Sequence, residues 1–154
     1  MKKLLYLLFI LPLIGVWACS DDDDLPSFSV QVGMSGQSEI TDAGVVVIPQ
    51  GNKFAVDSLI PVSDTGGKIA FGPVAYYLDG LYLGTSPFSP YPMSLNTENL
   101  KLGYYVLQMV MPVYAEGYSM ANGVLNYKLQ IVEPTPAEDE GTTTVIKGIP
   151  DIKK

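Results

Sequence analysis

The chain of 154 residues contains neither histidine nor arginine; all nine of its basic residues are lysine. Without imidazole the commonest general base near neutral pH is missing, and without guanidinium so is the forked donor that suits phosphates and transition-state anions. Cysteine occurs once, at Cys19, which excludes an internal disulfide and a Cys/His zinc site. Basic charge is scarce too: 9 Lys stand against 16 Asp and Glu, a net charge of −7 that argues against a nucleic-acid surface. Ser-x-x-Lys arrangements and Gly-rich phosphate loops are absent. An enzyme is therefore not expected, nor a cofactor or a metal site. The length sets one domain with a core large enough to fold unaided.

What is present begins with an address. Met1-Lys2-Lys3 is a positive start, and Leu4 to Trp17 is an apolar run of 14 residues followed by small Ala18 and Cys19. A membrane span needs about 20 apolar residues. This run is shorter and carries Pro12, so it reads as a signal peptide. Val16-Trp17-Ala18-Cys19 resembles the lipobox of bacterial lipoproteins, with Trp17 standing where a small residue is usual. The resemblance implies that Cys19 becomes the first mature residue and carries acyl chains, a firm membrane anchor when there are two or more. Ser20-Asp21-Asp22-Asp23-Asp24 resembles the acidic export signal of Bacteroidetes-type lipoproteins, which implies an outer-membrane location facing the cell exterior. Four adjacent carboxylates also stay extended as a solvated tether, and nothing in the run organises them around a metal ion. Removal of residues 1–18 takes away Lys2 and Lys3, so the charge of −7 becomes −9.

From Phe28 to Val132 no apolar stripe recurs at helical spacing; short alternating runs rich in Val, Tyr, Ile and Phe lie between Gly, Pro, Asn and Asp clusters instead. Phe28–Val32, Val45–Ile48 and Phe54–Ile60 are expected strands, with Pro49-Gln50-Gly51-Asn52 as a turn. Ile69–Leu78 meets Asp79-Gly80 and then Leu81–Leu83, the sequence of a type I′ hairpin whose inward face carries Val74, Tyr76 and Leu78. Tyr91–Leu95 and Tyr104–Val113 follow, the latter with Tyr105, Leu107, Met109, Met111 and Val113 on one face and Pro112 marking an edge or a bulge. In Val124–Val132, buried Leu125, Tyr127, Leu129 and Ile131 alternate with wet Asn126, Lys128 and Gln130. Seven or eight strands without a helix fit an all-β, antiparallel two-layer sandwich, with a small closed barrel as the alternative.

The stretch Val74–Gly80, Leu83-Gly84, Ser89-Pro90-Tyr91 and Thr97-x-x-Leu100-x-x-Gly103-Tyr104-Tyr105-Val106-Leu107 is similar to bacterial immunoglobulin-like domains of surface proteins. The resemblance spans residues 74–107 and implies an immunoglobulin-like sandwich; Tyr105 stands where many members have a histidine. The expected organisation is a lipoprotein signal peptide at 1–18, an acidic flexible tether at 19–27, the sandwich at 28–133, and an acidic, Pro- and Thr-bearing tail at 134–154. Composition marks that tail as disordered, while the aliphatic residues between Val145 and Ile152 would also let it dock as an edge strand.

The carboxylates of the body lie in turns or on wet strand faces, and no spacing singles out a pair for glycoside hydrolysis. Tyrosine is the abundant functional type, ten in all. Tyr77 and Tyr82 near the hairpin, with Tyr114 and Tyr118 in the loop Tyr114-Ala115-Glu116-Gly117-Tyr118, are the candidates for stacking on a sugar ring or anchoring a protein. The expected function is a structural or adhesive module of a membrane-anchored lipoprotein. The alternative is a carbohydrate-binding accessory of a glycan uptake system, whose mark would be two exposed coplanar tyrosine rings. The expected partners are the membrane, through the lipid anchor, and a glycan or a surface protein.

Overall fold

The computed structural model describes residues 25–134, 144–148 and 151–153. The expected signal peptide at 1–18, Cys19, the acidic residues Ser20–Asp24 and residues 135–143 of the expected tail lie outside the described residues. Among the described residues there is no helix, and hence none long and apolar enough to cross a membrane. The strands are β1 (Phe28–Ser35), β2 (Glu39–Ile40), β3 (Val46–Pro49), β4 (Lys53–Ser63), β5 (Ile69–Phe71), β6 (Val74–Leu78), β7 (Leu81–Ser86), β8 (Met93–Asn96), β9 (Gly103–Ala115), β10 (Ala121–Val132), β11 (Thr144–Gly148) and β12 (Asp151–Lys153).

They form two sheets. The smaller has the order β11-β1-β4-β8; the larger runs β2-β3-β10-β9-β6-β7, with β12 also paired to β10 and β5 to β9. The sheets are open and do not close into a barrel. All pairings are antiparallel except β3 on β10. With β1, β4 and β8 in one layer and β6, β9 and β10 in the other, the connectivity is that of an immunoglobulin-like sandwich.

Period-two alternation builds the core. Val30, Val32 and Met34 of β1 and Phe54, Val56 and Leu59 of β4 are buried in a cluster with Leu107, Met109, Met111 and Val113 of β9 and Leu125, Leu129 and Ile131 of β10. Each such side chain contributes about 1.5–3 kcal/mol on burial. Among the described residues the buried core runs from Phe28 to Ile131.

The β6–β7 hairpin forms as its sequence dictates. Asp79 and Gly80 have φ of 47° and 80°, the double positive-φ requirement of a type I′ turn, and Val74, Tyr76 and Leu78 point inward. The Thr97-x-x-Leu100-x-x-Gly103-x-Tyr105 segment also gains a physical reason. Buried Thr97 donates its hydroxyl to the Asn52 carbonyl at 2.7 Å, tying this corner to the β3–β4 turn. Gly103 takes φ 140°, and the Tyr105 hydroxyl donates back to the Lys101 carbonyl at 3.0 Å. This is a tyrosine corner, a device of Greek-key sandwiches that pins the entry into a central strand.

Four expectations need correction. Ile69–Leu78 is not one strand, because Gly72-Pro73 divides it into β5 and β6. Pro112 lies in central β9, which excludes the edge and leaves the other half of the expectation, an irregularity: opposite it the pairing shifts by one residue between Phe71↔Val113 and Ala75↔Val110. Its carbonyl accepts the Gly72 N–H at 2.9 Å, so its nitrogen, on the same side of the strand, faces the break between β5 and β6, where no ladder bond is required. Tyr91 precedes its strand instead of opening it: at φ 64° it sits in a turn, buried, with its hydroxyl donating to the Phe71 carbonyl at 2.7 Å. The tail, expected to be disordered, supplies β11 against β1 and β12 against β10. The free edge of β1 is a template for strand addition, and the Val145-Ile146 sequence favours extended chain.

Tyr127 is buried, and its hydroxyl has no hydrogen-bond partner among the described residues. Burial pushes its pKa from 10.0 up to about 12 and raises that of Tyr76 as well. A folded-state pKa above the unfolded one favours the protonated fold. The contribution is therefore whole below pH 10 and is lost as pH rises from 10 through about 12. Tyr127→Phe should leave stability at pH 7 unchanged or raised by up to about 1 kcal/mol, since an unpaired hydroxyl is removed. It should also flatten the alkaline decline by about 1.4 kcal/mol per pH unit between those limits. Urea unfolding at pH 8 to 12 measures both; an alkaline slope as steep as that of the unsubstituted chain would contradict this account.

Candidate binding face

Inward alternation on β10, β9 and β6 leaves their other residues on the outer face of the larger sheet. Register then decides which of them meet. Asn126 of β10 pairs with Gln108 of β9, Gln108 with Tyr77 of β6, and Tyr77 with Tyr82 of β7. The four side chains form one row across four strands, perpendicular to the chain direction. At about 4.8 Å between strands the row is about 14 Å long.

Within the row, Gln108 Nε2 donates to Asn126 Oδ1 at 3.0 Å, which leaves Gln108 Oε1 as an acceptor and Asn126 Nδ2 as a donor toward solvent. The Tyr77 and Tyr82 rings lie 5.5 Å apart at an interplanar angle of 57°. The pair is thus tilted, not the coplanar platform that the sugar-binding alternative anticipated. Tyr82 is 55% exposed, and a 2.8 Å hydrogen bond between its hydroxyl and Thr85 Oγ1 fixes its ring. Tyr77 is half-buried beside it.

Apolar and restrained groups flank the row. Val106 and Tyr104 are exposed on the same face, and Lys128 Nζ sits 4.2 Å from the centre of the Tyr104 ring, a cation–π contact. Asp79 at the turn is engaged with the main chain: its carboxylate accepts the Val106 N–H at 2.7 Å, and its own N–H donates to the Val106 carbonyl at 2.9 Å.

The structure joins two of the four expected tyrosines and separates the others. Tyr114 lies six residues along β9 from Gln108, about 20 Å away, and Tyr118 follows it in the β9–β10 turn. Tyr114 borders a shallow open groove of ≈ 370 Å³ with Lys68, Ile69 and Glu116. The four candidates are therefore not one site. Gln108 and Asn126 were missed: alternation marked Asn126 as wet, but only the pairing of β9 with β10 and β6 sets both amides beside the tyrosines. No group of three or more His, Cys, Asp or Glu among the described residues could hold a metal ion.

Fold and face together define an immunoglobulin-like β-sandwich with an exposed amide and tyrosine row. No protein-family model and no curated protein matches the chain. Among solved structures it is similar to the fibronectin(III)-like modules of Clostridium thermocellum CbhA, at 15% identity and a TM-score of 0.38, over 66% of this chain and 99% of that one.

Proposed function

We propose that the protein is a non-catalytic, lipid-anchored lipoprotein of the bacterial outer membrane, turned toward the exterior. Its immunoglobulin-like sandwich acts as an adhesive module that meets its target with the outer face of the larger sheet. The observation that carries this reading is the Asn126-Gln108-Tyr77-Tyr82 row, where exposed aromatic and amide groups with apolar neighbours make a recognition surface rather than an inert spacer. The likeness of Val16–Cys19 to a lipobox and of Ser20–Asp24 to an export signal supports the location. A mature charge of −9 holds the body off anionic lipid heads. The lack of histidine and arginine supports a binding role over a catalytic one.

Two measurements test this. Labelled palmitate should enter the full chain and not its Cys19→Ala variant, and protease applied to intact cells should digest the body. The fluorescent body, residues 20–154, should bind saturably to whole cells of the producing culture, and Tyr82→Ala should weaken that binding by about tenfold. Failure of acylation, or Tyr82→Ala binding like the unsubstituted body, refutes the corresponding part.

A further inference from the structure

The row has a length, a polarity and a direction, and these narrow what it can hold. None of its four side chains is charged, and the two charges that border it, Lys128 over Tyr104 and Asp79 held by the Val106 N–H, are opposite in sign. In a chain of net charge −7 this suits a neutral ligand and repels anionic polymers. The exposed groups are an aromatic face, a phenol hydroxyl, an amide acceptor and an amide donor, the set that recognises a polyhydroxylated ring through C–H contacts and paired hydroxyls. The strand spacing of about 4.8 Å is close to the rise per residue of an extended hexose polymer, so a chain laid across the strands would meet one side chain of the row per sugar.

Among the described residues neither end of the row is walled. β7 is the last strand on one side. On the other, Asn126 falls between Asn122–Val124, which pair with β12, and Leu129–Val132, which pair with β3. A polymer could therefore run past both edges. We infer that this face binds a neutral, extended glycan in mid-chain, lying across β10, β9, β6 and β7, with one sugar on Tyr82 and hydroxyls on Gln108 Oε1 and Asn126 Nδ2. The inference rests on the reading of this face as the recognition surface and adds the chemistry of its target.

The experiment uses the body, residues 20–154, which contains the whole described core from Phe28 to Ile131. Its migration is followed in native gels cast with single polysaccharides: a mixed-linkage β-glucan, xylan, galactomannan, a linear α-glucan, and polygalacturonate as the anionic control. At least one neutral polymer should retard it saturably and polygalacturonate should not, and the tetrasaccharide of that polymer should bind at least tenfold more tightly than the disaccharide. Tyr82→Ala should lose about tenfold and Asn126→Ala about threefold, whereas Tyr114→Ala at the far end should bind unchanged.

Cells that bind the body are treated in parallel with periodate or with protease. Loss of binding after periodate supports a glycan target. Loss after protease alone, with no gel retardation, overturns the glycan inference while the adhesive reading stands. Tyr82→Ala binding cells as well as the unsubstituted body overturns both. Equal affinity for disaccharide and tetrasaccharide overturns the mid-chain geometry.

Discussion

Tyr76→Ala is expected to remove about 3–5 kcal/mol of stability, a large fraction of what a domain of this size possesses. The ring is 1% exposed at the centre of β6, where the inward position of the strand faces the opposite sheet. Its hydroxyl donates to the Tyr91 carbonyl, the Tyr91 hydroxyl donates to the Phe71 carbonyl, and the Phe71 ring lies 6.3 Å from that of Tyr91 and 6.4 Å from that of Phe28. One side chain thus ties β6 to the β7–β8 loop and, through it, to β5 and β1. Alanine would leave a cavity and an unpaired carbonyl together. Tyr76→Phe keeps the volume and strands only the carbonyl, so it should cost about 1–2 kcal/mol. Urea unfolding of the two variants separates the terms. A phenylalanine variant as stable as the unsubstituted chain would show that the hydroxyl chain contributes nothing.

Gly36→Ala should be nearly as severe, about 3 kcal/mol or more. Gly36 turns the chain out of β1 at φ +85°, a conformation that costs an L-residue roughly 1–2 kcal/mol by itself. The added methyl would also collide with the carbonyl of Lys53 and lie 3.0 Å from Phe54 Cα, both backbone atoms at the start of β4. Those atoms are held by the β4–β8 ladder, in which Lys53 faces Asn96 and Phe54 faces Leu95. Gly44→Ala is the matched control: its φ is +74°, and nothing lies within 4 Å of the new methyl, so only the conformational part, about 1–2 kcal/mol, should appear. Equal losses at the two positions would mean that the close approach of Gly36 to β4 is not a constraint.

The parts of the fold that could be read from the sequence are those fixed by neighbours in the chain. Asp79-Gly80 announced a hairpin because two adjacent positive φ angles have few sequence solutions, and the alternation on either side then set Tyr76 inward and Tyr77 outward. The same logic gave the inward faces of β9 and β10. Whatever depended on pairing between distant segments stayed hidden. Pro112 could be read as an edge or a bulge residue because nothing local reveals that its missing N–H faces the Gly72-Pro73 break. Tyr91 looked like a strand residue because a tyrosine at positive φ has no local signature. The tail's acidic and threonine-bearing composition favoured disorder; its aliphatic residues between Val145 and Ile152 allowed an edge strand, but nothing local named the edges of β1 and β10 as the ones that take it.

The candidate site divides in the same way. Tyr77 and Tyr82 flank one turn and meet across it, so the hairpin sequence joined them. Gln108 and Asn126 join them only through the register Tyr77↔Gln108↔Asn126, which no local pattern specifies. Tyr114 and Tyr118 were grouped with them by residue type alone, and β9 carries them to the opposite end of the sheet.

The thioethers of the core give the domain a chemical clock. Met34, Met109 and Met111 are fully enclosed, whereas Met120, in the turn leading into β10, is 56% exposed. Peroxide outside a cell would convert Met120 to its sulfoxide first and without structural consequence. The enclosed sulfurs could react only when the two layers part, and each oxygen gained there would make a close-packed apolar side chain polar and hinder the layers from closing again. Met93 is only partly buried and falls between these classes, so the lag from the Met120 sulfoxide to those of Met34, Met109 and Met111, resolved by peptide in a mass spectrum, would report how often the sandwich opens.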